Sequence, residues 1–166
     1  MSRARIALAA VAVLAVVAVA AVALAGGDEG GNTDRPRRTV VTVGDASVRA
    51  EVAADEASLQ RGLSGRDRLG AGDGMLFLLP DDSPSFWMKG MRFALDMVWI
   101  KNGRVVDVTA DIPPPSGSGA SLPTYSPARP ADRVLEVNAG WAARHGIGRG
   151  DIVRVRGAAG ARLSER

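Results

Sequence analysis

Asn102-Gly103 lies between two runs of β-type residues, LDMVWIK at 95–101 and RVVDVTA at 104–110. Both residues of the pair tolerate positive φ, which a type I′ turn requires at its two central positions, and the twist of that turn matches the strands it joins. The antiparallel hairpin this predicts pairs Lys101 with Arg104, Ile100 with Val105, Trp99 with Val106, Val98 with Asp107, Met97 with Val108 and Asp96 with Thr109. Because side chains alternate across a strand, Leu95, Met97, Trp99, Val106, Val108 and Ala110 form one wholly apolar face that belongs in a core. Asp96, Asp107 and Thr109 share the other face with Val98, Ile100 and Val105. A lone hairpin does not hold in water, so the rest of the chain has to supply more sheet.

It does. Thr39–Val43 and Ser47–Ala53 flank Gly44-Asp45 as a second hairpin, GMLFLL at 74–79 reads as a buried strand stopped by Pro80, and Arg133–Val137 and Ile152–Arg156 are further strand segments. Asp55 caps a short helix over Glu56–Arg61 that ends at Gly62, and Asn138 caps a second that runs to His145 and closes at Gly146. Asp111 to Pro130 contains six prolines, a Ser-Gly-Ser-Gly centre and the only tyrosine, Tyr125, and reads as a long loop or lid. Many short strands, two short helices and no repeat predict a mainly β chain with one compact β-sandwich or barrel-like domain over 39–157, followed by a loose tail over 158–166.

The first 38 residues are of another kind. Ile6–Ala25 is an uncharged run of Ala, Val, Leu and Ile behind Arg3 and Arg5, long enough to cross a bilayer as an apolar helix. Ala23-Leu24-Ala25 also offers a signal-peptide cleavage site, so residues 1–25 are expected to be either a retained membrane anchor or a removed signal. The arginines on its amino-terminal side predict that the domain lies outside the cytoplasm in both cases, joined by a flexible tether at 26–38. Of the 21 basic residues two belong to the leader, leaving 19 against 18 acidic ones and a net charge of +1. A nearly neutral, exported domain with interspersed charges is not expected to bind nucleic acid. The absence of cysteine excludes disulfides, iron–sulfur clusters and a thiol nucleophile, and a single histidine argues against a His-rich metal site. No cofactor motif is present, and neither a cofactor nor a metal is expected.

Five stretches, GLSGR at 62–66, GMLFLL at 74–79, FWMKGMRFALDMVWI at 86–100, NGRVVDV at 102–108 and VLEVNAGWAARHGIGRGDIV at 134–153, resemble the domain of unknown function 192 family, over about Val48 to Val155. The resemblance implies a mainly β domain of exported or membrane-tethered prokaryotic proteins, with no settled activity. Many members read Asn-Thr after the lysine where this chain has Gly90-Met91.

In FWMKGMRFALDMVWI, a lysine, an arginine and an aspartate interrupt eleven apolar residues and a glycine. An extended FWMK segment puts Trp87 and Lys89 on one face and Phe86 and Met88 on the other. Lys89 then reads either as a cation at the mouth of an aromatic-lined pocket, paired with Asp96 and able to hold a carboxylate or phosphate, or as half of an ion pair that fixes strand order. The candidate ligand site comprises Trp87, Lys89, Arg92 and Asp96, with Tyr125 on the covering loop. Secondary candidates are Arg61 and Arg66, which flank GLSG and offer an anion two cations, and Asp107. In the predicted register Asp107 is a diagonal neighbour of Asp96, at a spacing that suits an acid–base pair, a hard cation or merely two solvated charges. His145 at a helix end is explained by the local partial negative charge, and Glu136 in RVLEV is expected to face solvent. No catalytic residue is assigned. These features predict an envelope binding module for a small anionic ligand or an envelope protein; the alternatives are a hydrolase using Asp96 and Lys89, and a structural protein whose GWAARHGIGRGDIVRV segment serves as an interaction hairpin.

Overall fold

The computed structural model describes residues 36–80, 82–116 and 122–156. The apolar run Ile6–Ala25, the expected tether up to position 35, the centre of the proline-rich loop and the tail from 157 lie outside the described residues.

Strands β1 (Arg38–Val43) and β2 (Ala46–Ala53) form the first hairpin, closing Val43 onto Ala46 across Gly44 at φ +55. Helix α1 (Glu56–Arg61) then crosses to β3 (Asp73–Leu78), which runs parallel to β2. Asp55 caps α1 with a capping box: its carboxylate accepts from the Ser58 N–H at 2.9 Å, and the Ser58 hydroxyl lies 3.2 Å from the Asp55 N–H. The short β4 (Phe86–Trp87) precedes the hairpin of β5 (Leu95–Lys101) and β6 (Arg104–Ile112), and the chain ends in β7 (Thr124–Tyr125), β8 (Arg133–Asn138), helix α2 (Trp141–Arg144) and β9 (Val153–Arg156). The protein is mainly β, with nine strands and two short helices among the described residues.

Seven strands form one curled sheet in the order β6-β5-β8-β3-β2-β1-β9, and β4 and β7 form a separate ribbon. The two edge strands of the large sheet meet at the Asn102-Gly103 turn. Arg104 bridges Ile152, the Val105 N–H donates to Asp151 O at 2.9 Å, and the Val153 N–H donates to Gly103 O at 2.8 Å. This pins the sheet into a half-barrel and covers the backbone groups that bare edges would leave open.

Both faces of the central strands are therefore buried. The interior is packed with Val41, Val48, Leu76, Val98, Ile100, Leu135 and Val137 from the sheet and with Trp141 from α2. The outer face carries Met75, Phe77, Leu95, Met97, Trp99 and Val134 under Leu63, Met88 and Met91, which come from the segments around α1 and β4. Phe86 holds the ribbon to this layer through edge-on contacts to Phe77 at 5.1 Å and to Trp99 at 5.6 Å, each worth about 0.5–1.5 kcal/mol beyond area burial.

The β5–β6 register departs from the regular hairpin. Lys101↔Arg104 and Ile100↔Val105 form as expected, but then a bulge places Trp99 opposite Asp107, Val98 opposite Val108 and Met97 opposite Thr109. One additional residue in β6 flips every later side chain to the other face. Val108 consequently packs with the interior, and Thr109 instead reaches Trp99, accepting its indole N–H at 2.8 Å. Asp96 and Asp107 end on opposite faces and are not neighbours. The second helix also differs from expectation: it starts at Trp141 behind Gly140 at φ +73, while Asn138 is still in β8 and donates to Leu69 O and Gly70 O.

Candidate functional site

The FWMKGM segment and the GLSG turn build on each other. Gly62, Gly65 and Gly90 all have positive φ, and the Gly65 N–H donates to Gly90 O at 2.9 Å. A Cβ on Gly90 would stand 2.1 Å from the Ser64 hydroxyl, so the close approach of the two turns uses the missing side chain. In the extended piece before that turn, Phe86 and Met88 point into the outer core and Trp87 and Lys89 point away from it. The Lys89 ammonium lies 5.1 Å from the centre of the Trp87 ring, and Trp87 is 55% exposed, the most exposed large apolar side chain among the described residues.

Between these turns, α1 and the β3 end of the sheet runs a cleft of about 1200 Å³. Its walls are largely apolar, from Leu59, Leu63, Phe77, Phe86 and Met91, and its polar lining includes Arg61, Ser64, Lys89 and Glu136. Neither Lys89 nor Arg61 makes an ion pair among the described residues. The cleft therefore unites three residues singled out from the sequence, Trp87, Lys89 and Arg61, although Arg61 lies 26 positions before Trp87.

Glu136, expected to face solvent, is buried. It does point opposite to Leu135 and Val137, yet it is only 5% exposed. Strand β8 lies between β5 and β3, so Glu136 sits directly between Met97 and Met75 on a face that a second layer covers. No hydrogen bond or ion pair engages its carboxyl among the described residues, and it lines the cleft. Burial pushes its pKa from 4.5 up to about 8, because the charged form is the one that loses water.

The other candidates lie elsewhere. Asp96 is fully buried and does not meet Lys89. Its Oδ1 accepts the N–H groups of Asp111 at 2.9 Å and Gly140 at 3.0 Å, and its Oδ2 accepts that of Ala142 at 2.9 Å. Asp111 adopts φ +53 at a second β-bulge, which belongs to the same arrangement. Asp96 thus fastens β5 to β6 and to the start of α2, in the place of the cap that Gly140 lacks. Arg92 pairs with Asp67 at the surface. Arg66 makes a two-pronged pair with Glu51, at 3.1 and 2.6 Å, and this pair holds the glutamate below the usual carboxylate range. Asp107 accepts the Ala128 N–H at 2.9 Å and so ties the proline-rich loop to the sheet. Tyr125 pairs with Phe86 in the ribbon and packs on the outer core, outside the cleft lining. His145 ends α2 with its ring 4.9 Å from that of Trp141. No group of three or more His, Cys, Asp or Glu side chains among the described residues stands close enough to hold a metal.

The family model for DUF192, described as "Uncharacterized ACR", matches residues 39–155. The chain belongs to this family. Two solved structures share the fold. One is a protein of unknown function from Novosphingobium aromaticivorans DSM 12444, at 30% identity and a TM-score of 0.63, with 78% of this chain and 99% of that chain covered. The other, from Sinorhizobium meliloti 1021, is described as a "putative transcription regulator" and aligns at 26% identity and a TM-score of 0.65 over 72% of this chain and 95% of that one. No curated protein matches the sequence.

Proposed function

We propose that this DUF192 protein is an envelope-associated, extracytoplasmic binding module, and that the cleft between the GLSG and FWMKG turns takes a small ligand with an anionic group. The observation that carries the reading is the Trp87–Lys89 pair: an exposed indole and an ammonium without an acidic partner among the described residues, side by side on a largely apolar cleft. Binding clefts combine apolar walls with a few placed polar groups in this way. The Ile6–Ala25 run and the arginines before it support the location, the membrane being the partner if the run is retained.

The hydrolase alternative needs Asp96 as acid or base, and a carboxylate already filled by three backbone N–H groups in the interior is poorly suited to that task. The interaction-hairpin alternative is weakened because α2 and β9 pack within their own chain, with β9 paired to β1. Nucleic-acid binding is not part of the proposal, because outside the leader 19 basic residues face 18 acidic ones and the domain is nearly neutral.

The test is thermal unfolding of wild type, Lys89→Ala and Arg61→Ala against envelope metabolites and glycans. The reading predicts that anionic compounds raise the wild-type midpoint and that both variants lose most of this rise. An equal rise in all three proteins would place binding elsewhere, and no rise in wild type would remove the reading.

A further inference from the structure

The charged and acidic lining of the cleft comes from different parts of the fold. Lys89 and Arg61 supply positive charge on the side of α1 and the FWMKG turn, whereas Glu136 is set into the sheet between Met75 and Met97. Glu136 is only 5% exposed and its carboxyl has no partner among the described residues, which is unusual in a core, since buried polar groups are nearly always hydrogen-bonded. Its own strand and both flanking strands offer it nothing: Asn138, two residues along the same face, is committed to Leu69 O and Gly70 O, Asp73 on β3 is paired with Arg49, and on β5 Asp96 is taken by backbone N–H groups and Lys101 by Asp82 and Asp132. The titratable side chains that line the cleft with it are Glu56, Arg61 and Lys89. The two cations disfavour entry of a positively charged group toward Glu136. With burial holding the carboxyl in its protonated form near neutral pH, it has a hydrogen to donate.

Resting on the binding role proposed above, we infer that Glu136 is the inner polar contact of the cleft and donates its carboxyl proton in a hydrogen bond to a neutral acceptor oxygen of the ligand. The ligand class is accordingly an elongated molecule with a carboxylate at one end, an apolar or aromatic body, and a carbonyl oxygen at the other. The carboxylate meets Lys89 and Arg61, the body lies along Phe77, Leu63 and Met91, and the oxygen reaches Glu136. No proton leaves the carboxyl in this step; it is shared in a hydrogen bond.

Matched probes test this on the full chain in mild detergent, by calorimetric titration at about pH 6 and about pH 9.5, on either side of the raised value for Glu136. The probes are 4′-acetylbiphenyl-4-carboxylate, its 4′-ethyl counterpart with methylene in place of carbonyl, the 4′-aminomethyl analogue, and the corresponding 4-substituted benzoates as a shorter series. In wild type at the lower pH the ketone of the better-fitting length should bind about 3–10-fold tighter than its ethyl partner, the range expected for one net hydrogen bond. That preference should vanish at the higher pH, persist at both pH values in Glu136→Gln, whose amide still donates, and vanish at both in Glu136→Leu. Equal affinity for ketone and ethyl probes in wild type, or a preference that survives in Glu136→Leu, overturns the inference while the cleft reading stands. Tighter binding of the aminomethyl probe than of the ketone at the lower pH overturns it as well, by making Glu136 an anionic contact where the carboxyl should be neutral. If no probe binds, or if Lys89→Ala with Arg61→Ala leaves all affinities unchanged, the underlying cleft reading fails with it.

Discussion

Replacing Glu136 by glutamine should change how stability depends on pH rather than stability alone. In the folded protein the carboxyl ionises at about 8, against 4.5 for an ordinary glutamate. Below both values it is neutral in the folded and unfolded chains and contributes no pH dependence. Between them the unfolded chain has released the proton and the folded one retains it, so the folded state binds more protons and stability falls as pH rises. Above about 8 both states are ionised and the loss is complete. Each pH unit of that interval corresponds to about 1.4 kcal/mol, which sets an upper value of about 5 kcal/mol for the whole loss. Glutamine has similar shape and no charge to desolvate. Glu136→Gln should therefore match wild type near pH 4.5 and exceed it by several kcal/mol near pH 9, with the difference opening between those limits. Equilibrium urea unfolding of both proteins across that range measures the difference directly, and the acid-side losses from Glu51, whose pKa Arg66 lowers, cancel between the two. Two curves that remain parallel from pH 4.5 to 9 would mean that Glu136 is solvated or paired in solution, and the reasoning would be refuted.

Asp96→Ala leaves the N–H groups of Asp111, Gly140 and Ala142 without their acceptor, and should cost about 3–5 kcal/mol in denaturant unfolding. Gly74→Ala would push a Cβ to 2.8 Å from both Glu136 O and Val48 Cγ1 and should cost about 1–3 kcal/mol, whereas Gly148→Ala, in open space, should stay within about 0.5 kcal/mol. Thr109→Val strips the acceptor from the buried indole N–H of Trp99, with an expected loss of about 1–2 kcal/mol in the same assay. Lys89→Ala should change stability by less than about 1 kcal/mol, because an exposed cation–π contact is worth no more, so its effect on ligand response can be read cleanly.

The parts of the fold written in local chemistry were legible in the sequence. Asn102-Gly103, Gly44-Asp45 and the Asp55 cap each occupy the positions their residue types demand. The β6 bulge was not, because regular alternation already sorts Val106, Val108 and Ala110 onto one wholly apolar face and nothing local signals an additional residue. What selects the observed register is tertiary: Thr109 meets Trp99, and Asp107 meets Ala128. Glu136 was misread for a related reason. Alternation in RVLEV signals polar-out only when one face of the sheet is wet, and β8 is an inner strand with layers on both sides. The apolar run GMLFLL on the adjacent β3 was the available sign of two-sided burial. Asp96 was singled out correctly as anomalous, but its partners are backbone N–H groups 15 to 46 residues away, which no side-chain pattern announces. Lys89 stood out as a charge in an apolar setting, Trp87 as its neighbour on one face of FWMK, and Arg61 from its place beside GLSG; that these share one cleft depends on the docking of Gly65 against Gly90.

The central claim is that one ligand spans the cleft from Lys89 to Glu136. It is tested most directly by following the Trp87 indole N–H and the Glu136 carboxyl carbon by NMR during a titration with 4′-acetylbiphenyl-4-carboxylate. Both signals should move together, with one dissociation constant, and signals from the Asp107–Ala128 contact on the loop should stay still. Movement of the loop signals with Trp87 and Glu136 unchanged, or of Trp87 and Glu136 at different ligand concentrations, would contradict a single site spanning the cleft.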